Sequence, residues 1–228
     1  MRSFPDPVSL STARRKRLLL ESAQNPRKPI TVICSQPQSY PKKSERNGAL
    51  TQGTPKRTII EVRARAGDRS RGFLAVGGTV FPCALGRGGI SSRKREGDGA
   101  TPLGSLRVLW GYCRPGRGAL PPTRLPLLPA FEALGWCDAP GDRNYNRPVR
   151  LPYRASHEAM QRDDHLYDIV VVLDWNMRPA VRGRGSAIFL HLARPGYPPT
   201  EGCIAVSRRT MLRLLPLLRP GTEIRVKR

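Results

Sequence analysis

Acidic residues are scarce in this 228-residue chain, with 17 Asp and Glu against 40 Lys and Arg, which leaves a formal net charge of +23. So one-sided a balance suits an anionic partner and invites a nucleic-acid reading. Aromatic residues are only 6% of the chain, and none line up as a stacking platform for bases. Arg outnumbers Lys 33 to 7, and Gly and Pro number 22 and 23, a bias that G/C-rich codons produce without any functional cause. Long apolar runs are missing. The longest, Ile169 to Leu173, falls far short of the roughly 20 residues that a membrane span requires. Cysteine pairs at C-x-x-C spacing are missing too. The five cysteines (Cys34, Cys83, Cys113, Cys137, Cys203) are scattered, which argues against a disulfide framework and a cysteine zinc site.

What is present divides at about residue 57. Residues 1–56 cluster Pro, Ser, Gln and Asn and read as a disordered tail or a mis-assigned start. Within them Arg14-Arg15-Lys16-Arg17 and Leu18-Leu19-Leu20 begin like a secretory signal, but the apolar run stops at Glu21. Residues 57–228 form one mainly β domain. Strands are expected over Thr58–Ala64, Phe73–Val76, Thr79–Leu85, Ser105–Tyr112, Asp168–Asp174, Ser186–Leu192 and Thr222–Val226, with a hairpin at Gly77-Gly78. One short helix is expected after Ser156 and another after Ser207, both serines serving as N-caps. Residues 114–155, rich in Pro, Gly and Arg, read as a surface excursion.

Four places are candidates for chemistry. Cys203 follows Gly202 where a loop becomes a strand, a place that suits a nucleophile with open backbone amides but equally a buried structural cysteine. His191 ends the apolar segment Ala187–Leu190 twelve residues earlier, and the Pro- and Gly-containing connection can return the chain beside it. A hydrogen bond between His191 and Cys203 is the expectation that follows. His157 and His165, with Asp163 or Asp164, form a weaker metal-site alternative, at a spacing that is no dedicated ligand pattern. The loop Lys94–Gly104 is tight and glycine-rich but lacks the phosphate-cradle pattern.

Gly97-Asp98-Gly99-Ala100-Thr101-Pro102-Leu103-Gly104, then His191, Gly202-Cys203 and Pro220-Gly221-Thr222, resemble the ordered motifs of YkuD-type L,D-transpeptidases. The resemblance implies an L,D-transpeptidase-like mixed β-sandwich over 57–228 and a catalytic cysteine acting on peptidoglycan stem peptides. Cys203 is then the nucleophile, His191 the base, and the amides of Gly202 and Cys203 the oxyanion donors. No metal or organic cofactor is implied, nor a specific nucleic-acid partner, and the substrate places the domain in the cell envelope or periplasm. Two positions depart from the family pattern: Glu201 stands where a histidine is usual, and Ala205 where Arg or Asn is common. Glu201 is therefore expected to modulate the thiol or to orient His191. Thr200, Arg194 and Arg208 become candidates for substrate binding. The alternative is a wall- or polyanion-binding module that keeps the fold without catalysis.

Overall fold

A computed structural model describes residues 58–228; residues 1–57, and Cys34 with them, lie outside the described residues. The described chain is mainly β. It forms strands β1 (Ile59–Arg65), β2 (Asp68–Val76), β3 (Thr79–Ala84), β4 (Ile90–Ser91), β5 (Thr101–Pro102), β6 (Gly104–Cys113), β7 (Leu127–Pro129), β8 (Leu134–Cys137), β9 (Arg147–Arg150), β10 (His157–Ala159), β11 (Ile169–Leu173), β12 (Phe189–Leu192), β13 (Ile204–Val206) and β14 (Glu223–Lys227), with a single α-helix, α1 (Arg208–Leu214).

Nine strands make one mixed sheet in the order β11-β12-β13-β3-β2-β1-β14-β6-β7. Pairing of β11 with β6 closes it on itself. The closure depends on β6, which is long enough to serve two partners. Its first half pairs with β14 (Arg225↔Ser105) and its second with β11 (Val171↔Gly111), across a register shift between Val171 and Leu173. The expected sandwich thus has joined edges, which leaves fewer unpaired backbone groups exposed.

Alternation along the strands explains two cores. Ile60, Val62, Leu74, Leu106, Leu190 and Ile204 point inward to the main core, joined by Met211 and Leu214 of α1. Phe189, Val170, Val172, Tyr112 and Cys203 point to the other side, where Trp136 and Met160 cover them. The α1 helix starts as the sequence indicates: Ser207 Oγ accepts the Thr210 N–H at 3.1 Å. A 3-10 turn, Leu215–Leu217, accommodates Pro216 at its end. The hairpin between β2 and β3 also forms as expected, with Gly77 and Gly78 both at positive φ (55° and 79°).

Two expectations are corrected. The segment after Ser156 is not a helix; it is β10, paired antiparallel with β8 (His157↔Cys137). Three residues paired to a distant strand outweigh a local capping signal, because tertiary packing overrides propensity in short segments. Residues 114–155 are not a mere surface excursion either. They supply β7, and β8 and β9 of a second sheet in the order β10-β8-β9, and they bury Leu125, Trp136, Cys137 and Tyr145. That small sheet carries the residues that roof the outer core and Cys203.

Candidate active site

Cys203 sits immediately before β13, and β13 runs parallel to β12 with His191 opposite Ala205. Residues two apart in a strand face the same way, so Cys203 and His191 share the outer face as diagonal neighbours. The hydrogen bond expected between them is not formed. The Cys203 thiol donates to Ala187 O at 3.1 Å, and its sulfur accepts the Phe189 N–H at 3.3 Å. Burial pushes the thiol pKa well up, and the negative charge of Glu158 adds to this; the Phe189 N–H and Lys94 act in the opposite sense. Cys203 is 7% exposed.

His191 is buried as well. Its Nδ1 lies 2.8 Å from Leu192 O, an atom that can only accept, so the proton is on Nδ1 and the lone pair on Nε2. Burial pulls its pKa down to about 4, so the ring is neutral at physiological pH. Tyr167 stacks edge-on against it, with ring centroids 5.2 Å apart. The Tyr167 hydroxyl donates to Glu158 Oε2 at 2.5 Å, and the Arg162 guanidinium lies 5.3 Å from the centre of the Tyr167 ring. Burial raises the pKa values of both Glu158 and Tyr167.

The turn into Cys203 is clamped from two sides. Gly202 has φ +131°, and a Cβ there would lie 2.8 Å from Ala100 O, so only glycine lets the 97–102 loop approach. Thr200 Oγ1 donates to Cys203 O at 2.6 Å and accepts the Gly202 N–H at 3.2 Å. Thr200 therefore shapes the turn, and one of the two expected oxyanion donors is already engaged. Within the loop, Asp98 accepts from Lys94 Nζ at 2.5 Å, from Arg95 N–H at 2.7 Å and from Ala100 N–H at 2.9 Å. Gly86 packs closely on the backbone of this loop, where a Cβ would lie 2.1 Å from Gly99 O, and its N–H donates to the Thr101 side-chain hydroxyl at 2.9 Å.

The remaining sequence candidates lie as follows. Glu201 does not orient His191; its exposed carboxylate pairs with the Arg87 guanidinium. Arg194, just beyond β12, donates to Asp164 at 3.1 Å, and Asp164, which also accepts from Arg162, has its pKa pulled down to about 2. Arg208 is at the start of α1, which packs on the main core, and its guanidinium holds Arg117 O. His157 and His165 turn to separate backbone carbonyls, Ala155 O at 2.7 Å and Ala193 O at 3.1 Å. Cys83, Cys113 and Cys137 are buried, and desolvation pushes the Cys83 thiol up to about 12. Sequence reasoning missed Arg87, Glu158, Tyr167 and Asn146. The glycine-rich run Gly86-Arg87-Gly88-Gly89 was a signal for the first. The others carry none, because distant pairings bring them to the cysteine.

A family model describing the L,D-transpeptidase catalytic domain, YkuD, matches residues 62–226. The chain belongs to the YkuD L,D-transpeptidase family. The match runs from β1 into β14 and includes the whole site. Solved structures with similarity include L,D-transpeptidase 1 of Mycobacterium tuberculosis (13% identity, TM-score 0.34, covering 74% of this chain and 62% of that one). Others are Bd1075 of Bdellovibrio bacteriovorus (13%, 0.37, 75% and 48%) and an L,D-transpeptidase from Mycobacterium smegmatis (15%, 0.35, 75% and 59%). This YkuD chain therefore spans about half to three-fifths of the length of those proteins. No curated protein matches it in sequence. Among the described residues, no helix is long and apolar enough to cross a membrane.

Proposed function

We propose that this YkuD domain is a cysteine-dependent acyltransferase of peptidoglycan tetrapeptide stems, working in the cell envelope. The observation that carries the reading is a cysteine on a glycine turn clamped by the Thr101-Pro102 loop, with a neutral histidine on the same sheet face. His191 Nε2 accepts the thiol proton once the sulfur turns away from Ala187 O. The thiolate attacks the carbonyl between the diaminopimelate L-centre and the terminal D-Ala. The Cys203 N–H serves the oxyanion, a contribution of about 3 kcal/mol for one such donor. As the intermediate collapses, the C–N bond breaks, His191 returns the proton to the leaving D-Ala amine, and a thioester remains on Cys203. A stem amine resolves it to a 3→3 cross-link, and water resolves it to a hydrolysed stem.

Intact-mass spectrometry after incubation with a tetrapeptide stem, or with a carbapenem as acylating probe, tests the reading. An adduct that maps to Cys203 and is absent in Cys203→Ala and His191→Ala supports it. The buried, protonated thiol favours a second reading, a wall-binding module without catalysis. Sacculus binding that Cys203→Ala leaves intact, with no adduct in the wild type, would select that reading.

A further inference from the structure

Asn146 precedes β9 in the small sheet and is 2% exposed. Its Oδ1 accepts the Trp136 indole N–H at 3.0 Å and the Ala187 N–H at 3.1 Å. Its Nδ2 donates to Trp175 O at 3.0 Å and Asn176 O at 2.8 Å. A side-chain amide has two donors and two acceptor sites, and all four are used. The orientation is fixed, because two partners can only donate and two can only accept. Asn146 itself adopts φ +58°, and its own N–H donates to Cys137 O at 2.8 Å.

Ala187, the residue it grips, has φ +50°, a left-handed conformation unusual for alanine. Such strain persists only where surrounding contacts enforce it. Among the contacts on Ala187 is the bond from its N–H to Asn146 Oδ1. The same residue's carbonyl accepts the Cys203 thiol proton, and two residues on, the Phe189 N–H meets the sulfur. The backbone from Ala187 to Phe189 is thus the seat of the sulfur, and the small sheet sets that seat through one side chain.

We propose that Asn146 is a positioning residue for Cys203, holding Ala187 left-handed so that the sulfur is aimed and its proton kept until substrate arrives. The proposal rests on reading Cys203 as the nucleophile. Loss of the amide lets Ala187 relax to negative φ, which withdraws Ala187 O from the thiol. Reactivity toward a small reagent and productive acyl transfer should then move in opposite directions.

The experiment follows alkylation of Cys203 by iodoacetamide against pH, by mass spectrometry of its peptide, in folded wild type and Asn146→Ala. Asn146→Ala should alkylate about fivefold faster at neutral pH, the factor one lost hydrogen bond supplies, with a lower pH midpoint. Stem acylation should fall in the same variant. Adding Ala187→Gly, which accepts positive φ without strain, should recover at least half of the logarithmic change in alkylation. An unchanged profile in folded Asn146→Ala overturns the proposal, as does a change that Ala187→Gly does not reverse. If Asn146→Ala fails to fold, Trp136→Phe, which removes the other donor on Oδ1 together with part of a buried ring that packs on Phe189, should shift the profile the same way by less, and no shift overturns the proposal. Alkylation needs no turnover, so a wild type that is never acylated by stems defeats the catalytic reading without deciding this test.

Discussion

At Cys203 two backbone groups make opposite demands on one sulfur: Ala187 O favours the thiol, and the Phe189 N–H favours the thiolate. Burial decides for the thiol. Glu201 adds a small push the same way while its carboxylate stays with Arg87. Glu201→Gln should therefore speed alkylation of Cys203 at neutral pH, by less than about threefold because an exposed charge is screened. A slower reaction, measured by the same peptide mapping, would restore the orienting role that the sequence suggested. His191 gives a second prediction. Its folded-state pKa of about 4 lies below the ordinary 6.5, so on acidification the unfolded chain takes up the proton first. Stability from the neutral ring is complete above pH 6.5 and is lost as pH falls toward 4, by about 3 kcal/mol in all. Urea midpoints should fall less steeply across that window in His191→Gln than in wild type, and equal slopes would contradict the assignment.

Among the elements, the 97–102 loop depends most on a single side chain. Lys94 is 5% exposed, and Asp98 supplies its counter-charge while also fixing two backbone N–H groups. Burial raises the pKa of the Asp98 carboxyl, but the Lys94 bond and the two N–H bonds outweigh it and bring the value below the ordinary range. Asp98→Asn leaves a buried ammonium without its anion and should cost about 3–5 kcal/mol in denaturant titrations. Lys94→Met on that background should recover most of it, and no recovery would show that the pair is not the cause. Because this loop presses on Gly202, Gly202→Ala should cost about 1–3 kcal/mol in strain alone and should abolish acylation of Cys203. The α1 helix and the Gly77-Gly78 hairpin were legible in the sequence, since caps and tight turns are local. β10 was not, because its three residues owe their conformation to β8, about twenty residues earlier in the chain.

For the whole molecule the dominant quantity is the net charge of +23. Association with an acidic polymer such as the sacculus should weaken steadily as ionic strength rises, because interactions between exposed charges are screened beyond about 10 Å at 0.1 M salt. Cosedimentation across a salt series measures this, and a flat response would point to recognition through uncharged contacts.

The sequence alone determined a mainly β domain and its motif order, and it singled out Cys203 and His191 as candidates. Alternation, turn glycines and the two strand-end positions are properties of short stretches of chain. Tertiary structure alone decided that the sheet closes through β6, that residues 134–159 roof the outer core, and that Glu201 belongs to Arg87. It also decided that the thiol rests on Ala187 rather than on His191. Each of these is set by pairing between distant segments, and no local periodicity encodes which of several distant partners a strand or a charged side chain will meet.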